Sequence, residues 1–221
     1  RVLASVAHDP NRGNPFAASM WRSYFGVMAW LAADQVAEAR RQVARAQSTW
    51  APGEPFYLRH FCGLVGSLSV ALYAGEGIAA WDRLQSVWPT FRRSFHYQHQ
   101  SYRIVMLHLR ARAALIAMEQ VAPRRAMLRA ARRAGLKLLA ERQAWASPLG
   151  RMILAATAGH EGDRDGAAQS LRHAADEFQQ AEMAVFSAAA RLRLLELQQT
   201  QQAAGAEQQA GVQTMLDHGV K

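Results

Sequence analysis

The sequence predicts an all-α protein, an α-solenoid of about five antiparallel helical hairpins. Apolar residues recur at intervals of three and four, Ala and Leu dominate, and β-branched residues are sparse, which favours helix over strand. A small-x₃-large-x₂-small spacing also recurs roughly 40 residues apart, and it suits helices that cross closely in pairs. This spacing occurs at Ala39/Val43/Ala46, Ala80/Leu84/Val87 and Ala167/Leu171/Ala174.

Glycine, proline and polar segments divide the periodic pattern into successive helices. Pro89 follows Trp88 and indicates the end of a helix there, whereas Pro123 and Pro148 lie near helix starts. Two glycine-containing segments, 75–77 and 161–166, are interpreted as turns, because neither follows a strand or contains the Gly-Lys-Ser/Thr of a phosphate loop. The predicted helices cover residues 15–32, 34–49, 55–73, 77–88, 97–119, 123–143, 147–159, 164–180, 182–199 and 206–217.

The chain of 221 residues is long enough to bury a core without disulfides, and we interpret 1–221 as one helical-repeat domain. It begins at Arg1 without an initiating Met or a signal peptide, so we expect it to be a segment of a longer multidomain protein. Residues 198–213 are rich in Gln and poor in large apolar side chains. We therefore expect 198–221 to form a weakly ordered terminal hairpin or cap.

The longest uncharged run, residues 61–75, indicates a buried helix, because it is shorter than the ~20 apolar residues that span a bilayer. The sequence thus predicts a cytoplasmic location and no membrane partner. Cys62, the only cysteine, lies within this run, where a buried inert thiol is expected.

Positive charge is concentrated in the middle of the chain. Residues 83–142 contain 13 Arg or Lys against Glu119 and Glu141, whereas the whole chain has a net charge of +9. Three interpretations of this basic segment remain open. It could form a solvated face, contact a protein or peptide such as another domain of the same polypeptide, or contact nucleic acid. The candidate contacts for an anionic partner are Arg92, Arg93, Arg103, Arg125, Arg129, Arg132 and Arg133.

The sequence contains no pattern that indicates catalysis, and we predict neither a cofactor nor a metal. His96, His99 and His108 could be considered as metal ligands, but no Cys, Asp or Glu lies between residues 83 and 118 to complete a site. A nucleophile elbow, a His-Glu-x-x-His motif and a nucleotide-binding loop are all missing from the sequence. The six tryptophans fit wedges between hairpins, with an aromatic small-molecule pocket as the alternative.

Several segments resemble the C-terminal helical-repeat region of large bacterial serine/threonine protein kinases that also carry an AAA/STAND-type ATPase. The resemblance is carried by Trp81-Asp82-Arg83-Leu84, by 88–94 (WPTFRRS), by 102–104 and by 107–114 (LHLRARAA). It continues in 178–183, 188–193 and 215–220. No catalytic residue of kinase or ATPase is carried over, since their motifs do not occur in this chain.

The resemblance implies a tetratricopeptide-like fold and a place downstream of the kinase and ATPase domains as a sensor or protein-interaction arm. We therefore expect a non-catalytic module of a bacterial signalling protein. Two alternatives remain: a nucleic-acid-associated transcriptional regulator that uses the basic residues, and a helical small-molecule sensor.

Overall fold

The structure, a computed structural model, describes residues 15–48, 56–120 and 124–217. These residues form helices without any strand, as the sequence predicts. Successive helices pack against one another in series. The α-helices are α1 (Pro15–Met20), α2 (Gly26–Ala32), α3 (Val36–Gln47), α4 (Leu58–Tyr73), α5 (Gly77–Arg93), α6 (Gln100–Gln120), α7 (Arg124–Ala140), α8 (Ala146–His160), α9 (Arg164–Gln180) and α10 (Ala184–Asp217), with a π-helical turn at Trp21–Phe25 and a 3₁₀ turn at Phe95–Tyr97.

Two helix predictions are wrong. Helix α5 continues through Pro89 to Arg93 instead of ending at residue 88; proline removes one N–H donor, and the fully buried Phe91 anchors the turn that follows. The segments 182–199 and 206–217 form the single helix α10 rather than a terminal hairpin. The residues between them are mostly Gln and Ala, which favour helix and leave only Gly205 as a weak break.

Four of the helix connections share one geometry. Three residues separate each pair of helices, and the middle one has a left-handed backbone conformation. The next residue donates its N–H to the carbonyl five positions back, which is the hydrogen bond of a Schellman motif. The left-handed residues are Asp34, Gly75, Gly162 and Glu182, with φ of 57°, 76°, 85° and 58°, and the bonds join Gln35 to Trp30, Glu76 to Ala71, Asp163 to Ala158 and Met183 to Phe178 at 2.8–2.9 Å. Both glycine segments are therefore helix turns, as predicted.

Side chains link the first two of these turns. The hydroxyl of Tyr73 donates to Asp34 at 3.0 Å, and Arg40 forms a 2.9 Å ion pair with Glu76. The side-chain amide of Gln120 at the end of α6 donates to the carbonyl of Gly75 at 2.7 Å. These bonds hold the turn between α2 and α3, the turn between α4 and α5 and the C-terminal end of α6 next to one another.

The chain divides into two compact units, Arg1–Ala134 and Gly135–Lys221. The interpretation of 1–221 as a single domain stays a prediction. In the first unit the core lies mainly between α4, α5 and α6, with a smaller cluster between α2, α3 and α4. The main core contains Phe61, Cys62, Leu64, Leu68, Leu72, Ala80, Leu84, Phe91, Met106, Leu109 and Ala113.

The recurring spacing lies where helices cross, as predicted. Ala39, Val43 and Ala46 are buried, as are Ala80 and Leu84, whereas Val87 is half-buried. In the second unit Ala167, Leu171 and Ala174 of α9 are buried in the same way. The small side chains allow neighbouring backbones to approach.

Among the glycines that allow close helix contacts, two face a backbone carbonyl of another element. A Cβ on Gly66 of α4 would collide with the backbone carbonyl of Ser23 in the π-helical turn. In the second unit a Cβ on Gly150 of α8 would lie 2.8 Å from the carbonyl oxygen of Gly135 in α7. Both are backbone contacts, so a side chain at either position would push two helices apart.

Candidate anion-binding surface

The site begins with a stripe of four residues along α5. Trp81, Gln85, Trp88 and Arg92 follow one another at intervals of four, three and four, so they share one face of the helix. Helix α6 packs against α5 and contributes Arg103 and Arg110, two turns apart. Tyr97, in the 3₁₀ turn that connects the helices, completes the set. We call these seven residues the arginine–aromatic surface.

Arg110 is held by three residues of α5. Its guanidinium carbon lies 4.3 Å from a ring centroid of Trp88 and 5.5 Å from that of Trp81. Its Nη2 also donates to the side-chain oxygen of Gln85 at 3.0 Å. These two cation–π contacts and the hydrogen bond restrain the guanidinium, which carries N–H donors along its planar edge.

Tyr97 holds two further arginines. The guanidinium carbons of Arg92 and Arg103 lie 5.9 Å and 5.8 Å from its ring centroid. Arg103 donates to the carbonyls of Tyr97 and Gln98 at 3.0 Å and 3.3 Å, so it also caps the 3₁₀ turn. The ring of Tyr97 is itself fixed by an edge contact with buried Phe91, with centroids 5.7 Å apart.

The electrostatics of this surface favour an anion. Burial, together with the nearby charge of Arg92, lowers the pKa of Arg110 from its usual value. Within the described part of the chain neither Arg92 nor Arg110 forms an ion pair with a carboxylate. An oxyanion placed between them would relieve the repulsion of two like charges.

The structure brings only some of the predicted contacts together. Arg92 and Arg103 meet at Tyr97, and Arg93 is exposed in the last turn of α5. The other four predicted contacts are exposed on α7, opposite the buried stripe formed by Met127, Ala131, Ala134 and Leu138. We call them the α7 strip: Arg125, Arg129, Arg132 and Arg133.

Sequence reasoning missed Arg110 and assigned the tryptophans to wedges between hairpins. Trp81 and Trp88 are half-buried, whereas Leu84 of the same helix is buried. The signal that could have revealed this surface is the stripe Trp81-Gln85-Trp88-Arg92 on α5 together with the pair Arg103 and Arg110 on α6. To recognise the signal one must know how α5 aligns with α6, and the sequence does not specify that alignment.

His96, His108 and Cys62 have the environments of structural groups. Burial, followed by the charge of Arg112, lowers the pKa of His108 to about 3. Burial raises the pKa of Cys62 to about 11, so its thiol is protonated at neutral pH and unreactive. His96 packs among Phe56 and Tyr102, and burial lowers its pKa. Among the residues that the structure describes, no cluster of His, Cys, Asp or Glu could hold a metal ion.

No protein-family model, no curated protein and no solved structure matches this chain. None of the helices in the described ranges combines the length and the apolar character that a membrane crossing requires.

Proposed function

We propose that this chain is a non-catalytic protein-interaction or sensor module with a tetratricopeptide-like α-solenoid fold. The observation that carries the proposal is the arginine–aromatic surface on helices that follow one another in series. The four equal Schellman turns support the repeat character of the fold. Repeated helical pairs typically present an extended surface to a peptide or a domain.

The parent of this module is proposed to be a cytoplasmic bacterial signalling protein with serine/threonine kinase and AAA/STAND-type ATPase domains. The support is the resemblance of residues 81–114 and 178–193 to the repeat region of such proteins. In that arrangement the module receives a peptide or another domain of the same polypeptide, and catalysis takes place elsewhere.

The reading frame upstream of Arg1 provides the first test, and it should encode a kinase domain and an ATPase domain. The chain is then mixed with those domains and analysed by sedimentation velocity, where we expect a complex and no phosphotransfer by the chain alone. An upstream region without these domains would contradict the parent assignment. Catalytic turnover by the purified chain would contradict the module itself.

A second candidate function, a nucleic-acid-associated regulator, is favoured by the α7 strip, whose four arginines are exposed within nine residues of one helix. Such a strip could neutralise several phosphates. Titration with duplex DNA at rising salt tests this candidate, because counterion release requires a steep loss of affinity. A flat salt response, or no binding at low salt, would exclude it.

A further inference from the structure

We infer that the arginine–aromatic surface is a binding site for an acidic peptide, whose carboxylate or phosphate oxygens pair with Arg92 and Arg110. This inference deepens the proposed function and rests on it. The surface belongs entirely to the first compact unit. Its partner is defined by chemistry: a segment with at least two closely spaced anionic side chains.

The arginines of this surface are preorganised. Arg110 is fixed by Trp88, Trp81 and Gln85, and Arg92 lies over the ring of Tyr97. A free arginine would lose rotamer entropy on binding, but a stacked arginine has already lost part of it. The planar guanidinium keeps N–H donors at its edge, in the fork geometry that matches a carboxylate or a phosphate.

The spacing of the arginines suits a peptide. Arg92 shares the ring of Tyr97 with Arg103, and Arg103 lies seven residues from Arg110 on α6, which corresponds to about 10 Å of helix. In an extended polyproline II segment, side chains three residues apart share a face and are separated by about 9 Å. A peptide with acidic residues at positions i and i+3 can therefore place one anion near each end of the surface.

The aromatic rings favour a peptide over single-stranded nucleic acid. Sequence-tolerant binding of single strands depends on ring faces that are open to stacked bases. Here Trp88 carries Arg110 and contacts Phe91, with ring centroids 5.8 Å apart. Tyr97 already carries two guanidiniums. The surface presents guanidinium edges, and its rings serve to hold the arginines.

The test is fluorescence anisotropy of labelled 12-residue peptides with the complete chain. Three peptides share one sequence with Glu, phosphoserine or Gln at positions i and i+3, and a fourth probe is a single-stranded oligothymidine. We expect the Glu or the phosphoserine peptide to bind and the Gln peptide to bind at least tenfold more weakly. Whichever anionic peptide binds more tightly distinguishes carboxylate from phosphate as the preferred group.

Matched double variants locate the site. Arg92→Gln/Arg110→Gln should weaken binding of the acidic peptide at least tenfold, since both charge-assisted sets of hydrogen bonds to the anions are removed. Arg125→Gln/Arg129→Gln removes the same charge from α7 and should change affinity less than threefold. Circular dichroism melting verifies that each variant is folded, and Arg110→Lys, which keeps the charge without the planar fork, provides a milder replacement if the first variant does not fold.

Equal losses of affinity for the acidic peptide in the two double variants would overturn the inference, because they would indicate general electrostatic attraction. Binding of the oligothymidine that is tighter than that of the acidic peptides and lost in Arg92→Gln/Arg110→Gln would show a nucleic-acid surface instead. Failure of every acidic peptide overturns the site assignment. The module function would survive that failure if the chain still bound the kinase or ATPase domain in sedimentation velocity.

Discussion

The guanidinium of Arg110 stacks on the indole of Trp88, with its carbon 4.3 Å from the ring centroid. This contact joins α6 to α5, and the hydrogen bond from Arg110 to Gln85 joins them a second time. The pair therefore has two consequences: it fixes the alignment of the two helices, and it holds a cation at the surface of the first unit.

The stack should be measurable as a coupling energy. A double-mutant cycle with Arg110→Gln and Trp88→Leu, followed by urea unfolding, should give a coupling of about 0.5–2 kcal/mol in the free energy of unfolding. In a control cycle, Arg45→Gln at an exposed position of α3 replaces Arg110→Gln. We expect the effects of Arg45→Gln and Trp88→Leu on the free energy of unfolding to be additive. Additivity in the Arg110–Trp88 cycle as well would contradict a stabilising stack.

Two glycines of α8 should respond oppositely to alanine. Gly150→Ala places a methyl group 2.8 Å from the carbonyl oxygen of Gly135 and should destabilise the chain by about 1–3 kcal/mol. Gly159→Ala meets no atom within 4 Å and should stabilise it by about 0.5–1 kcal/mol. Thermal and urea unfolding measure both effects. A neutral Gly150→Ala would show that α7 and α8 do not approach as closely as the structure has them.

The left-handed turn residues provide a second opposed pair. Gly162→Ala should destabilise the chain by about 1–2 kcal/mol, because φ is 85° there and a Cβ is unfavourable in this region. Glu182→Gly, in an equivalent turn with φ of 58°, should be neutral or stabilise by up to about 1 kcal/mol. The free energy of unfolding by urea tests both, and the same sign for the two changes would be inconsistent with equal turns.

His108 should make the fold sensitive to acid. Its folded-state pKa is lowered to about 3, against 6.5 for an ordinary histidine, so the unfolded chain takes up the proton first as the pH falls. The contribution of neutral His108 to the free energy of unfolding is fully present above pH 6.5, and it is lost progressively as the pH falls towards about 3. We expect His108→Gln to flatten the pH dependence of unfolding across this window. A wild-type slope in His108→Gln would disprove the assignment.

Local signals in the sequence predict much of this fold. Gly75 and Gly162 mark turns because a left-handed backbone favours glycine. Asp34 and Glu182 adopt the same conformation without that marker, so the equality of the four turns was visible only in the structure. Pro89 was misleading, because packing of Phe91 outweighs the loss of one helical hydrogen bond.

The candidate site was less predictable than the fold. Arg92 and Arg103 could be selected from charge alone, whereas the importance of Arg110 depends on which indoles face it. That pairing is a contact between helices, and charge density along the chain contains no information about it. The α7 strip was predictable because its arginines lie on one helix opposite a buried stripe, where the helical period suffices.

The most direct test of a peptide-binding role for the α5–α6 face is an NMR titration of the complete chain with the acidic peptide. The account predicts that the side-chain N–H resonances of Arg92 and Arg110 and the indole resonances of Trp81 and Trp88 shift first and saturate together. Shifts confined to the arginines of the α7 strip, with those four resonances unchanged, would contradict it.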